Sequence, residues 1–343
     1  MKWTRQIFFF FLTTLITRAH SMTQQYAGTV TAISSDGRLI ALANNPAHAA
    51  AGTTQTPIAA VYTSHTGQQL FVVNERIISF SAHAHMFCTF DGNNKIKVYE
   101  QITGKVIKEF PGIYAKFIGD VLLVGLSQTE GEVYSTIDWE MVHKLSMVLT
   151  EKTIDSLMSP FMPNTGKLLA QVTKGQLTAY DISTGFVIWH GAGIDGYFSA
   201  DGNKIGIDSV PSEYPAIDIY AINTGQQLCR ILGSSALFSP DTRSIAAGKY
   251  SEQEHKTTIY DTTTGLPQHT YNGELLQFSP DGTKAIMSIE GDGKYTFDSI
   301  HLFDLCSERT IQEFDDETNV NFLPNGRLCI QKEGTAQIGN QTP

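Results

Sequence analysis

The phrase FSPDG recurs, whole or blurred, about every forty residues, and no other feature constrains the fold of this chain so tightly. Its copies run "AISSDGRLIAL" from Ala32, "FSAHAHMFCTF" from Phe80, "FIGDVLLVG" from Phe117 and "FMPNTGKLLAQ" from Phe161. They continue as "FSADGNKIGI" from Phe198, "FSPDTRSIAAG" from Phe238, "FSPDGTKAIM" from Phe278 and "FLPNGRLCI" from Phe322. A second phrase follows each of the first seven, as in "VYEQITGKVI" from Val98, "AYDISTGFVI" from Ala179 and "IYDTTTGLPQ" from Ile259.

Both phrases are turns with a mechanical reason for their residues. In SPDG, proline presets φ, aspartate can accept a hydrogen bond from the turn backbone, and glycine tolerates positive φ. In YDxxTG, Asp and Thr serve the backbone donors and glycine again closes the reversal. The flanks, such as "KIKVY" and "AIDIY", are apolar or alternating and rich in β-branched residues, as strands are. Each unit therefore reads as four short strands, a to d, with SPDG between a and b and TG between c and d. One such sheet cannot bury both of its faces, whereas neighbours stacked in a ring can. The fold class expected is all-β, a β-propeller of four-stranded blades.

Seven units are complete. The eighth, "NVNFLPNGRLCIQKEGTAQI", supplies only strands a to c. At the other end, "SMTQQYAGTVTAIS" aligns with "LPQHTYNGELLQFS", which makes the residues up to Tyr26 a stray strand d. We therefore expect eight blades, with the ring closed by the N-terminal strand; seven blades and a tail is the alternative. With its two turns and this unit length, the chain resembles the WD-repeat propellers over about residues 22–338. It is also similar to quinoprotein-like and surface-layer-type bacterial propellers. It lacks the GH dipeptide and the terminal WD pair, so the hydrogen-bond network typical of WD blades is not carried over.

The N-terminus has a different character. Lys2 and Arg5 precede the apolar run Ile7–Ile16, and Ala19 and Ser21 follow as small residues two apart. That is the layout of a secretory signal peptide over residues 1–21, leaving 22–343 as one propeller domain. The run is shorter than a bilayer-crossing helix needs. The expected location is exported, periplasmic or secreted, with no membrane insertion beyond the signal segment. The formal charge is −10, and the first 21 residues hold three bases and no acid. An acidic mature chain argues against nucleic acid as a partner. Cys88, Cys229, Cys306 and Cys329 are not spaced as CxxC, and their places in the repeat are too far apart to bridge, so free thiols are expected.

Function is less legible. No GxSxG, HExxH or phosphate-cradling GxxxxGK[ST] occurs. His83 and His85 lie two apart, but no acid or cysteine joins them, so His83 reads as a turn residue. No catalytic residue, metal ligand or cofactor is assigned. The b–c connections of units 1, 5, 6 and 7 are long, and with unit 8 between 7 and 1 they form one arc. Tyr214, Tyr250 and Tyr295 each occupy one of these connections, and Tyr can anchor a partner by ring and hydroxyl. The expectation is an exported, non-catalytic, monomeric binding scaffold that engages a protein partner through those tyrosines. The alternative is a propeller enzyme, quinone-dependent dehydrogenase-like or lactonase-like, with its site at the central channel. Only Trp139 and Trp189 follow the leader, whereas quinone-dependent propellers repeat Trp in every blade.

Overall fold

A computed structural model of the chain describes residues 24–43, 59–81, 85–127, 129–146, 167–173, 175–209, 215–250, 255–290, 297–315, 317–333 and 335–339. It is an eight-bladed β-propeller of antiparallel sheets, and the described residues include no helix. Blade 1 is Thr29–Ile33, Leu39–Ala43, Ala59–Thr63 and Gln69–Val73; blade 2 is Arg76–Phe80, Met86–Phe90, Lys95–Glu100 and Val106–Pro111. Blade 3 is Tyr114–Ile118, Val121–Gly125, Glu130–Ser135 and Met141–Ser146. Blade 4 shows Lys167–Thr173, Gln176–Asp181 and Val187–Ala192; its expected first strand, near Phe161, lies outside the described residues. Blade 5 is Asp195–Phe198, Lys204–Asp208, Ala216–Ala221 and Gln227–Leu232; blade 6 is Ser234–Phe238, Ser244–Tyr250, His255–Asp261 and Pro267–Asn272. Blade 7 is Glu274–Phe278, Lys284–Glu290, Phe297–Asp304 and Arg309–Asp315. Blade 8 joins the two ends of the sequence: Asn319–Phe322, Leu328–Lys332 and Thr335–Gly339 are completed by Gln24–Ala27, which pairs with the last of them.

The FSPDG turn owes its shape to two side chains. In blades 1, 5, 6 and 7 the serine hydroxyl (Ser34, Ser199, Ser239, Ser279) donates to the aspartate two residues on, at 2.6 Å each time. The same hydroxyl accepts the backbone N–H that opens strand b, for example Lys284 N at 2.8 Å. The aspartate meanwhile accepts a second backbone N–H, for example Thr283 N at 3.0 Å on Asp281. At the c–d turn, Asp261 accepts from Thr263 N and Thr264 N at 2.9 and 2.7 Å. Blades 3 and 7 lack the turn glycine, and Trp139 (φ 62°) and Glu308 (φ 55°) take its left-handed conformation instead.

One irregularity was not read from the sequence. In each of blades 1 to 7 the c–d pairing skips a residue just beyond the repeated aromatic, as where Tyr62 faces Gln69 but Val61 faces Phe71. The extra residues are Leu70, Ile107, Val142, Ile188, Leu228, Gln268 and Ile311. A β-bulge so placed strengthens the twist of each outer edge strand.

Packing runs from blade to blade. Eight apolar clusters each join one sheet to the next; Phe87 and Val61 lie in that of blades 1 and 2, and Ile40 and Ile338 in that of blades 8 and 1. The phenylalanine of FSPDG packs back on the preceding blade, and the residue before it reaches the following one. Ser79 Oγ accepts Phe117 N at 3.1 Å, and Gln277 binds both backbone groups of Phe322, its Oε1 accepting the N–H at 2.7 Å. These side chains satisfy strand a of one blade from strand a of the blade before.

The turn carboxylates make the fold acid-sensitive. Partial burial alone would raise Asp36 and Asp201, but hydrogen bonds from Ser34, Ser199 and the turn backbone outweigh it and hold both below the usual carboxylate value. For Asp241 and Asp281 the serine bond is the leading cause, with the same result. A carboxyl lowered on folding stabilises the fold above its unfolded pKa and loses that contribution as pH falls through the folded one. The urea midpoint should therefore be level from pH 7 to 5 and decline once pH drops below about 4. A midpoint that holds steady down to pH 3 would count against these bonds.

All four cysteines are free: Cys88 and Cys329 are buried on strands b, Cys229 is half-buried and Cys306 is exposed at a c–d turn. Burial pushes the Cys88 thiol far up and that of Cys329 up to about 12, which leaves both unreactive near neutral pH.

Candidate functional site

The a–b and c–d turns share one face of the propeller, and the b–c and d–a connections share the other. On this second face strands b and c last pair at Ala43 with Ala59, Asp208 with Ile217, Tyr250 with His255 and Glu290 with Phe297. The long connections of blades 1, 5, 6 and 7 leave from those pairs. In blades 4 and 8 the hairpins close tightly, Thr173 facing Gln176 and Lys332 facing Thr335. Tyr214 and Tyr295 lie outside the described residues. Tyr250 ends strand b of blade 6, and its side chain is likewise outside them. His83 falls in the same class.

At the foot of blade 5's long connection is a cavity of about 250 Å³. Its walls are the two stems of that connection, Asp208–Ser209 and Pro215–Ala216, and the two neighbouring d–a connections, Ile194 and Gly233–Ser234. Backbone bonds brace them: Ile194 N donates to Asp208 O at 3.2 Å, Gly233 N to Pro215 O at 2.9 Å, and Ser209 N to Ala216 O at 2.9 Å. Gly233 has φ +132°, and a Cβ there would come within 2.8 Å of Gly248 O, so only glycine makes this wall.

Asp208 gives the cavity an acidic edge. Tyr197, on the innermost strand, donates its hydroxyl to Asp208 Oδ2 at 2.9 Å. Burial first, and then the nearby Asp208 and Asp195 charges, push that hydroxyl far above the usual tyrosine value, so it remains a donor. Tyr197 thus fixes the orientation of the Asp208 carboxylate at the cavity's edge.

A second, wider groove of about 470 Å³ runs down the outer seam between blades 4 and 5 and shares Ser209 with the first. Trp189 and Tyr220, with ring centroids 5.5 Å apart, form one side. Arg230 and Asp218 form the other, Arg230 Nε standing 3.6 Å from Asp218 Oδ1, while Gln227 donates to the same oxygen at 2.7 Å. The two hollows present aromatic surface, one cation and two carboxylates, a set suited to polar recognition. Among the described residues no three His, Cys, Asp or Glu side chains gather to hold a metal ion.

No family model matches the chain, and no curated protein matches it by sequence. The fold, by contrast, is widely shared: 1425 solved chains match it. One is the crystal structure of BamB from Moraxella catarrhalis, at 11% identity and a TM-score of 0.58, covering 92% of this chain and 98% of that one. A likeness this remote in sequence carries the propeller architecture and nothing of the site.

The cavity escaped sequence reading because its walls come from three separate connections. The signal available was local: a Gly-Ser pair after strand d ("ILGSS") and Pro215 just before strand c.

Proposed function

We propose that the chain is an exported, non-catalytic scaffold that engages a protein partner along the loop face of blades 5, 6, 7 and 1. One observation carries this reading: the long connections leave blades 5, 6 and 7 in succession, and blade 1 beyond the tight hairpin of blade 8, all on one face, and the foot of the first is a braced cavity. A rigid rim beneath variable connections is how propellers and other scaffolds present binding residues. The cavity, about 250 Å³, has room for one side chain of the partner. Tyr214, Tyr250 and Tyr295 would supply the aromatic anchors around it. Export follows from the leader layout of residues 1–21.

The test is affinity capture from the exported compartment with the intact chain as bait. Replacing Tyr214, Tyr250 and Tyr295 together by Ala should weaken capture at least about tenfold, a typical loss for interface hot spots. Equal capture by the variant would remove the tyrosines from the interface. Mass spectrometry of the native N-terminus checks export: it should begin close to Ser21.

A further inference from the structure

Blade 4 departs from the other blades at one place in strand d. The residue that faces the third position before the strand c aromatic is Val73, Phe110, Leu145, Ile231, Tyr271 and Phe314 in blades 1, 2, 3, 5, 6 and 7. In blade 4 it is Gly191. The Trp189 ring folds over that glycine, and a Cβ on Gly191 would come within 2.6 Å of Trp189 Cζ2. The blade 4 side of the wide groove is therefore an indole resting where the other blades carry a packed side chain. From blade 5, Asp218 and Tyr220 stand two apart on strand c and so share a face, and Arg230 faces Asp218 across the ladder. The groove between them, about 470 Å³, lies within the roughly 300–1,000 Å³ of small-molecule sites. Its tyrosine is set apart as well. At the same place in the repeat, Tyr62 donates its hydroxyl to Gln69, Tyr99 to Glu75, Tyr134 to Glu132 and Tyr260 to Leu232 O. The hydroxyls of Tyr180 and Tyr220 have no partner among the described residues, and Tyr220 is the one that lines the groove. Burial first, and then the Asp218 charge, raise that hydroxyl above the usual tyrosine value, so it stays a donor at neutral pH.

We propose that the seam between blades 4 and 5 is a carbohydrate site, which takes a neutral pyranose unit against Trp189 and Tyr220 with its hydroxyls on Arg230, Asp218 and Tyr220. Charge decides the class of ligand. Arg230 Nε stands 3.6 Å from Asp218 Oδ1, so the one cation and the one carboxylate lining the groove among the described residues offset each other. Neither an anion nor a cation is then favoured over a neutral ligand. A wholly apolar ligand would leave both groups without hydrogen bonds. A pyranose meets each requirement: its C–H face lies on aromatic surface, and its rim hydroxyls each donate and accept. Asp218 is prepared for this role. Gln227 donates to its Oδ1 at 2.7 Å, which holds the carboxylate beside the guanidinium, so that an acceptor and donors stand together for neighbouring hydroxyls of one ring. A peptide strand would instead seek a backbone edge to pair with, and the polar groups of this groove are side chains. The groove shares Ser209 with the blade 5 cavity but none of the three loop-face tyrosines, so the inference stands apart from the partner reading.

The experiment is saturation-transfer NMR of the purified chain with maltose, cellobiose and lactose, joined to retention on dextran and cellulose gels. Because His190 lines the rim, it is run at about pH 8, above the ordinary histidine range. At least one of these sugars should respond through its ring protons, equally at low and high salt. Arg230→Ala should weaken binding at least about tenfold and Tyr220→Phe about threefold, by loss of a charged and a neutral hydrogen bond. The urea midpoint of Tyr220→Phe should match the parent's, since its hydroxyl holds nothing in the chain. Response to the free disaccharides supports a site for soluble sugar, and retention on a gel alone supports one for a polymer; either bears the inference out. The triple tyrosine variant of the loop face should bind sugar as the parent does, so this inference and the partner reading can fail separately. No response to any of the five probes, equal binding by Arg230→Ala and Tyr220→Phe, or a preference for glucuronate or glucosamine over every neutral sugar would each overturn it.

Discussion

A chain that begins after Ala27 should lose cooperative folding, because Gln24–Ala27 is the outer strand of a blade built otherwise from the C-terminus. Four residues pair in register with the last strand, Gln24 with Ile338 through Ala27 with Thr335. Tyr26 supplies most of the packing: it is buried in the cluster that holds Ile40, Leu42, Leu323 and Ile338, its ring stands edge-on 5.1 Å from Tyr62, and its hydroxyl donates to Thr63 O at 3.3 Å. The same seam is stitched by Asn325 Nδ2, which donates to Gly37 O at 2.8 Å, and by Arg327, which donates to Ser64 O. Truncation would leave the strand Thr335–Gly339 as a bare edge and open the apolar cluster shared by blades 8 and 1. For the point variant Tyr26→Ala we expect a loss of about 3–5 kcal/mol, the range for removing a large buried aromatic, and for Tyr26→Phe about 1 kcal/mol or less. Urea unfolding followed by circular dichroism reads both. An unchanged midpoint in the truncated chain would mean that the N-terminal strand is an ornament.

The repeated turns were legible because each is a local device: Ser279, Asp281 and Gly282 meet within one reversal, and nothing distant decides their roles. The eighth blade was legible for a different reason, since "TQQYAG" matches "QHTYNG" only if it too is a strand d. Non-local features did not show. Gln277 looks like an ordinary strand residue until its side chain is seen to bind Phe322, forty-five positions on. Trp139 makes blade 3 look irregular, yet its φ is that of the missing glycine, because the surrounding ladder dictates the turn. The blade 5 cavity depends on Ile194, Asp208, Pro215 and Gly233 converging from three connections, a coincidence of topology that no short window contains. Tyr214, Tyr250 and Tyr295 belong to connections whose stems leave blades 5, 6 and 7 on one face, and their side chains lie outside the described residues.

The second large effect should come from Phe87→Ala, and its size follows from what holds the ring. Phe87 is fully buried on strand b of blade 2, stacked between Tyr99 of its own blade at 5.0 Å and Phe71 of blade 1 at 4.9 Å, with Phe80 tilted against it at 6.3 Å. Tyr99 cannot follow a shrinking neighbour, since its hydroxyl donates to Glu75, which also binds Lys97 and Thr89. Phe71 belongs to the edge strand of another sheet. The void would therefore stay open, and the cost should sit at about 3–5 kcal/mol, a large part of the 5–15 kcal/mol typical of a whole domain. Phe186→Ser offers the contrast. That ring is of the same size but stands in solvent at a turn, so its removal should shift stability by no more than about 0.5 kcal/mol. If urea unfolding ranked the two substitutions together, burial between blades would not be what holds this propeller. If they separate as expected, packing between blades, and not aromatic size, sets the cost, and the exposed aromatic of blade 4 contributes little to the fold.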